Sequence, residues 1–331
     1  MYTFLPDKAV ALQLRHNFRS QLKESFVDML TQLSAHAPEV FPANLVARFV
    51  QMDASSYGGF HCFSYHFSIK LAEQNLFEEI ARLLDVISSA RYHHLPRFVS
   101  SQQVDKLLLG EILDQIKLGT THDAISLIPV ADAVEREAVS VLESGIERLR
   151  FACPELAFEN DVFVRSVVFF ESSGSTNERA LSFTGDKLQS LVLINAEIER
   201  DWIFLLDKLV HEAAHTYLYA INLHEEMVRN PEEDKFSSPL RRDERTMLGI
   251  YHATFVIQRL ILAFTRILEA RQLSGDEEAK ITELLAYYHS RLDSGFDTVM
   301  AHGDLSDTAR RLLIEGQAYA RQLRAPSEVD L

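Results

Sequence analysis

Asp207 to Leu223, DKLVHEAAHTYLYAINL, is the stretch on which the reading of the whole chain turns. Leu209, Val210, Ala213, Ala214 and Leu218 recur at helical spacing, so the segment reads as one helix with a buried face. Within it, His211-Glu-Ala-Ala-His215 sets two imidazoles one turn apart on a single face, where both can bind one divalent metal ion. The bland alternative is a pair of satisfied core histidines. An HExxH pattern arises by accident in roughly a few per cent of chains with this histidine content, so the pattern gains weight only from its surroundings.

Those surroundings are those of a folded protein. The 331 residues are 47% hydrophobic and 24% charged, enough for a substantial core in one large domain or two packed ones. Two cysteines, Cys62 and Cys153, are too few for a disulfide framework and suit a reducing compartment. The first residues, MYTFLPDKAVALQLRHNF, lack the basic start and apolar run of a signal peptide, and no stretch is expected to reach the length of a membrane span. A soluble cytoplasmic protein with no membrane partner is the expectation. A net charge of −15 argues against nucleic acid as a partner, since affinity for a phosphate backbone rests on a cationic footprint; simple solubility also accounts for the acidity.

Apolar periodicity predicts helices from Asp7 to about Leu33, around Asn44 to Gln51, and over 66–90, 101–117 and 131–150. His61 with His66, and His93 with His94, have spacings that do not converge on one helix face. After Pro154 the β-branched and aromatic run DVFVRSVVFFES, the turn SSGSTN and the short runs ALSFTG and SLVLINAE predict a small antiparallel sheet. Its exposed edge could hold an extended peptide beside a metal, or the sheet could serve only to pack the metal helix. PEEDKFSSPLRRDER reads as a polar loop before the long apolar helix RTMLGIYHATFVIQRLILAFTRILEA, and helices near 276–294 and 305–324 follow. The expected architecture is mainly α with a small antiparallel sheet, the HExxH site lying between two core helices. The expected division is a helical region 1–155 and a metal-binding region 156–331 that form one compact unit.

Two histidines leave a metal under-coordinated. The longer metzincin pattern is excluded, because Leu218 and Ile221 stand where it needs glycine and histidine. Asp243, Glu244, Glu232, Glu233 and His252 are the candidates for a third ligand. His252 is favoured, because inside an apolar helix an unpartnered ring would be costly, whereas the carboxylates sit in a solvated segment; His224 reads as a surface residue. On that apolar helix the sevenfold spacing also places Arg245, His252 and Arg259 close to one stripe, with a drift of about 20° per step.

LVHEAAH together with SPLRRDERTMLGIYHATFVIQRL resembles the HExxH-type peptide β-hydroxylases that accompany ribosomally synthesised peptide precursors. The resemblance covers roughly residues 160–270. It implies an iron(II)- and 2-oxoglutarate-dependent oxygenase, a dioxygenase that hydroxylates a side-chain β-carbon in a precursor peptide. By position it makes His211, His215 and His252 the metal ligands. Independent chemistry is compatible: iron(II) favours six-coordination, so three protein ligands leave room for a chelating 2-oxoacid and dioxygen. The far carboxylate of such a co-substrate needs a cation, for which Arg245, Arg241 and Arg259 are the candidates, each with a local acid as the competing partner.

The rival enzyme is a zinc metallopeptidase with the same ligands, in which Glu212 is the general base on a metal-bound water. In the oxygenase Glu212 instead orients the site through hydrogen bonds. A helical binding protein with a structural metal is the non-enzymatic alternative, but such sites usually close four ligands and the sequence offers no fourth.

Overall fold

The computed structural model describes residues 2–89, 92, 97–118, 126–173, 181–239 and 243–323. His93, His94 and Arg241 lie outside them. Two compact units make up the chain, one of Met1–Ala11, Val141–Asp161 and Asp201–Leu331, the other of Leu12–Ser140 and Val162–Arg200. This division does not fall at residue 155. The strands that precede the histidine helix group instead with the N-terminal helices, because Val168, Phe170, Leu191 and Leu193 belong to the same apolar cluster as Phe26, Phe49, Leu84 and Leu108.

In that second unit, α1 (Lys8–His36), α2 (Ala43–Gln51), α3 (Gly59–Glu73), α4 (Phe77–Ile87) and α5 (Lys106–Leu118) precede the sheet, and α6 (Asp132–Ala152) continues into the first unit. The helix expected over 66–90 is two helices. Asn75 at φ 58° breaks it, a left-handed conformation that asparagine tolerates better than most residues. His61 is buried with its ring 5.2 Å from Tyr57, while the His66 ring packs 5.2 Å from that of Tyr65.

The sheet has the order β1-β2-β4-β3, with β1 (Ser126–Pro129), β2 (Ser166–Ser173), β3 (Ser182–Phe183) and β4 (Leu191–Asn195). It is mixed: β1–β2 and β3–β4 are antiparallel, but the central pair β2–β4 is parallel, Ser166 opposite Leu191 and Phe170 opposite Asn195. LVLIN is buried along its whole length, so it takes the interior position, and the two-residue β3 is left at the edge. Gly59 is what lets α3 reach β4. A Cβ there would fall 2.2 Å from the Leu191 Cβ and 2.7 Å from its backbone nitrogen. Gly59→Ala is therefore expected to cost about 1–3 kcal/mol in urea denaturation, as overpacking at an unyielding contact does; an unchanged midpoint would show that α3 can shift.

After α6, the chain forms α7 (Pro154–Phe163), whose end lies where the sequence had suggested the start of a strand; proline at the first helical position is favourable, and extended structure starts only at Ser166. Then come α8 (Trp202–Asn222), β5 (Lys235–Ser237), β6 (Glu244–Thr246), α9 (Met247–Glu269), α10 (Gly275–His302) and α11 (Asp307–Gln322). The supposed polar loop contains the β5–β6 hairpin, in which Phe236 faces Arg245. Asp201 caps α8 by accepting from the Ile203 and Phe204 amides, and Ser274 with Glu277 forms a capping box on α10. At 23 residues, α9 does have the length and apolarity of a membrane span, against expectation. It is covered along most of its surface by α8, α10 and α11, as the central helix of a core would be.

Candidate metal centre

Helix α8 is buried nearly all round. Between Trp202 and Ile221 its half-exposed residues are Phe204, Lys208, His211, His215 and Tyr219, which recur every three or four positions and form one stripe. Both motif histidines therefore lie on the face of the helix that solvent reaches. One turn before His211, the buried Asp207 accepts a hydrogen bond from the Tyr288 hydroxyl of α10 and pairs with Lys208 at 2.6 Å, tying that end of the stripe to its neighbour.

Where α9 packs on α8, the His252 ring comes against that of His215, with centroids 5.3 Å apart and planes at 27°. His211 Nε2 lies 3.2 Å from His215 Nε2, and His252 Nδ1 lies 3.1 Å from His215 Nδ1. Two nitrogens on one ion at about 2.0–2.1 Å each would stand roughly 3.0–3.4 Å apart, so the first pair has a ligand spacing. The third ring meets the other nitrogen of His215. An imidazole cannot offer both nitrogens to one ion, so the three form a chain, 211–215–252, instead of a triangle. Among the described residues no group of three potential donors closes on one point. The donor chemistry nonetheless fits a borderline divalent metal such as iron or zinc: the His215 ring lies against those of both His211 and His252, and imidazole nitrogen is a ligand that either metal takes.

Their protonation favours the same use. Burial pushes the His215 imidazole down to about 4, and burial together with His215 holds His252 well below the usual range. Both rings are neutral at pH 7 and keep a lone pair for a metal. Glu212 is 4% exposed on the same helix. Among the described residues the carboxylate candidates close no group of three donors with the histidines; Asp243 pairs with Arg245 at 2.8 Å, and Glu232, Glu233 and Glu244 are exposed. His224 is exposed, as expected.

The arginines separate. Arg245 sits in β6, before α9 begins, and so is not on a helical stripe with His252. Arg259 is on α9 two turns beyond His252 but is 1% exposed, pairs with Glu159 of α7 at 3.0 Å, and lies 5.1–5.2 Å from the ring centres of Phe4, Tyr217 and Phe255. None of those contacts is with a histidine. Tyr219 was not anticipated: its ring packs 5.1 Å from His252 and 6.2 Å from His215. Its position four residues beyond His215 was the available signal. Both cysteines are free and buried, and burial pushes the Cys62 thiol up to about 12, which makes it a packing residue.

Neither the models of known protein families nor the curated proteins compared with this chain give a match. What the centre can do is therefore read from its own geometry.

Proposed function

We propose that the protein is an iron(II)- and 2-oxoglutarate-dependent oxygenase that hydroxylates a side-chain β-carbon in a ribosomally made precursor peptide, with His211, His215 and His252 as metal donors. The observation that carries this reading is the approach of three imidazoles from two packed helices, with His215 and His252 kept neutral by burial and with His211 and His215 on the half-exposed face of α8. The chemistry supplied by bound iron(II) and 2-oxoglutarate is oxidation of the co-substrate to succinate and carbon dioxide, coupled to insertion of one oxygen atom of dioxygen into a C–H bond.

The chain's own residues bind and orient. Glu212, buried beside the first ligand, would hold the site in place through hydrogen bonding. Of the two described arginines, Arg245 suits a dicarboxylate better. Its pair with Asp243 is 31% and 46% exposed, and such pairs are worth only about 0–1 kcal/mol, so a ligand carboxylate can replace Asp243 cheaply. Arg259 would have to abandon a buried carboxylate.

Anaerobic titration of the iron(II)-loaded protein with 2-oxoglutarate is expected to give a metal-to-ligand absorption band, and Arg245→Lys to weaken co-substrate binding about tenfold, since lysine keeps the charge and loses the planar fork. Arg241→Lys is the matched comparison. No band in the wild type, or unchanged affinity in both variants, would remove the arginine assignment. Mass spectrometry of precursor peptides after oxygen is admitted should show a gain of one oxygen atom. Glu212→Gln distinguishes the zinc peptidase: loss of a general base costs roughly 10²–10⁴-fold, so wild-type peptide hydrolysis that vanishes in this variant would replace the oxygenase reading.

A further inference from the structure

We propose that Arg15, Arg19 and Arg165, in the unit that does not contain His211, His215 and His252, form a binding site for an oxyanion, either a phosphate or the clustered carboxylates of an acidic peptide segment. Arg15, Arg19 and Lys23 follow one another at four-residue steps on α1, about 6 Å apart along one face. Arg165 arrives from the start of β2 and donates from Nη1 to the Ser55 carbonyl at 2.8 Å, while Lys23 donates to the Met52 carbonyl at 2.6 Å. The short loop 52–58 is thus held by two of these cations. Gly58 lies against the Arg165 stem, where a Cβ would come 3.3 Å from Cδ.

Arg19 is the member that calls for a ligand. It is 8% exposed, its Nε is buried with no hydrogen-bond partner, and it makes no ion pair among the described residues. Leaving a guanidinium N–H unmade inside a protein is costly, and like charges beside it add to the cost. Burial, then Arg165, then Arg15 push the Arg19 guanidinium down to about 10, with Asp53 as the opposing acid. Asp53 is already engaged, accepting from the Ser55 amide at 2.7 Å. In a chain carrying 48 acidic residues against 33 basic ones, a buried arginine with two further arginines close enough to repel it stands out from the general charge. Guanidinium forks match the paired oxygens of phosphate or carboxylate, and an oxyanion would satisfy the buried N–H and quench the repulsion together.

Isothermal titration of the full chain at fixed ionic strength tests this with two probes: inorganic phosphate, and a glutamate-rich peptide compared with its glutamine counterpart. Saturable binding of phosphate alone identifies a phosphate site; preference for the glutamate peptide identifies a carboxylate site. In either case Arg15→Gln and Arg19→Gln should weaken binding at least tenfold, Arg19→Lys should weaken it as well, and Arg291→Gln, on α10 in the other unit, should leave it unchanged. Arg15 is half-buried, so its variant keeps the test valid if Arg19→Gln fails to fold. Absence of binding by both probes, or binding equally strong in the Arg15 and Arg19 variants, overturns the proposal.

Discussion

His252→Ala is expected to lower the affinity for iron(II) or cobalt(II) by at least about 100-fold, because loss of a direct ligand should exceed the 10–100-fold that loss of a supporting hydrogen bond costs. The expectation follows from the 3.1 Å approach of His252 Nδ1 to His215 Nδ1 and from the neutrality that burial imposes on both rings. His211→Ala and His215→Ala should do the same or more, since their ε-nitrogens already stand 3.2 Å apart. Cobalt absorption read alongside thermal denaturation separates loss of the site from loss of the fold. If His252→Ala binds as tightly as the wild type while either of the other two variants does not, the third donor lies elsewhere and the chain of three rings is only packing.

The second large effect concerns stability. Glu159→Ala should destabilise the protein by about 3–5 kcal/mol, or roughly 6–20 °C in Tm, because it strands the Arg259 guanidinium without a counter-charge in a box of three aromatic rings. Burial pushes the Glu159 carboxyl above the usual carboxylate range, and Arg259 is the charge that opposes that rise. Replacing both partners at once, Glu159→Leu with Arg259→Met, is expected to recover most of the loss, since a well-packed apolar pair avoids the desolvation of two ions. The same variants bear on the centre. Arg259→Met should leave 2-oxoglutarate affinity near the wild-type value; a collapse of co-substrate binding without a matching drop in Tm would return Arg259 to the site and displace Arg245.

Phe4 shows why that pair is structural. The N-terminal segment closes one side of the Arg259 box: Phe4 is buried, its amide donates to Glu315 at 3.0 Å, and the Tyr217 hydroxyl donates to the Thr3 carbonyl at 3.1 Å. Tyr217 lies two residues beyond His215, and Arg259 seven beyond His252. The ion pair and its aromatic walls therefore brace the two histidine helices from the face opposite the open stripe of α8, where both Phe255 and Tyr217 are fully buried.

Sequence alone determined what local periodicity controls. The helix around His211 and His215, the apolar helix that contains His252, and the helices that follow them are all visible as repeating apolar positions, because a helix writes its buried face every three or four residues. Chemistry added one further step: a histidine within an apolar run needs a partner, and the packing of α9 on α8 brings the His252 ring against His215. Tertiary structure decided the rest, wherever the energy comes from residues distant in sequence. LVLIN inserts beside β2 in parallel because it can be buried on both faces, a choice made by the surrounding core and not by its own pattern. The strands KFS and ERT are too short to show alternation and exist through pairing with each other. Arg259 looked like a candidate for a co-substrate because sequence spacing showed its helix stripe but could not show Glu159, one hundred residues earlier, waiting in the same buried box.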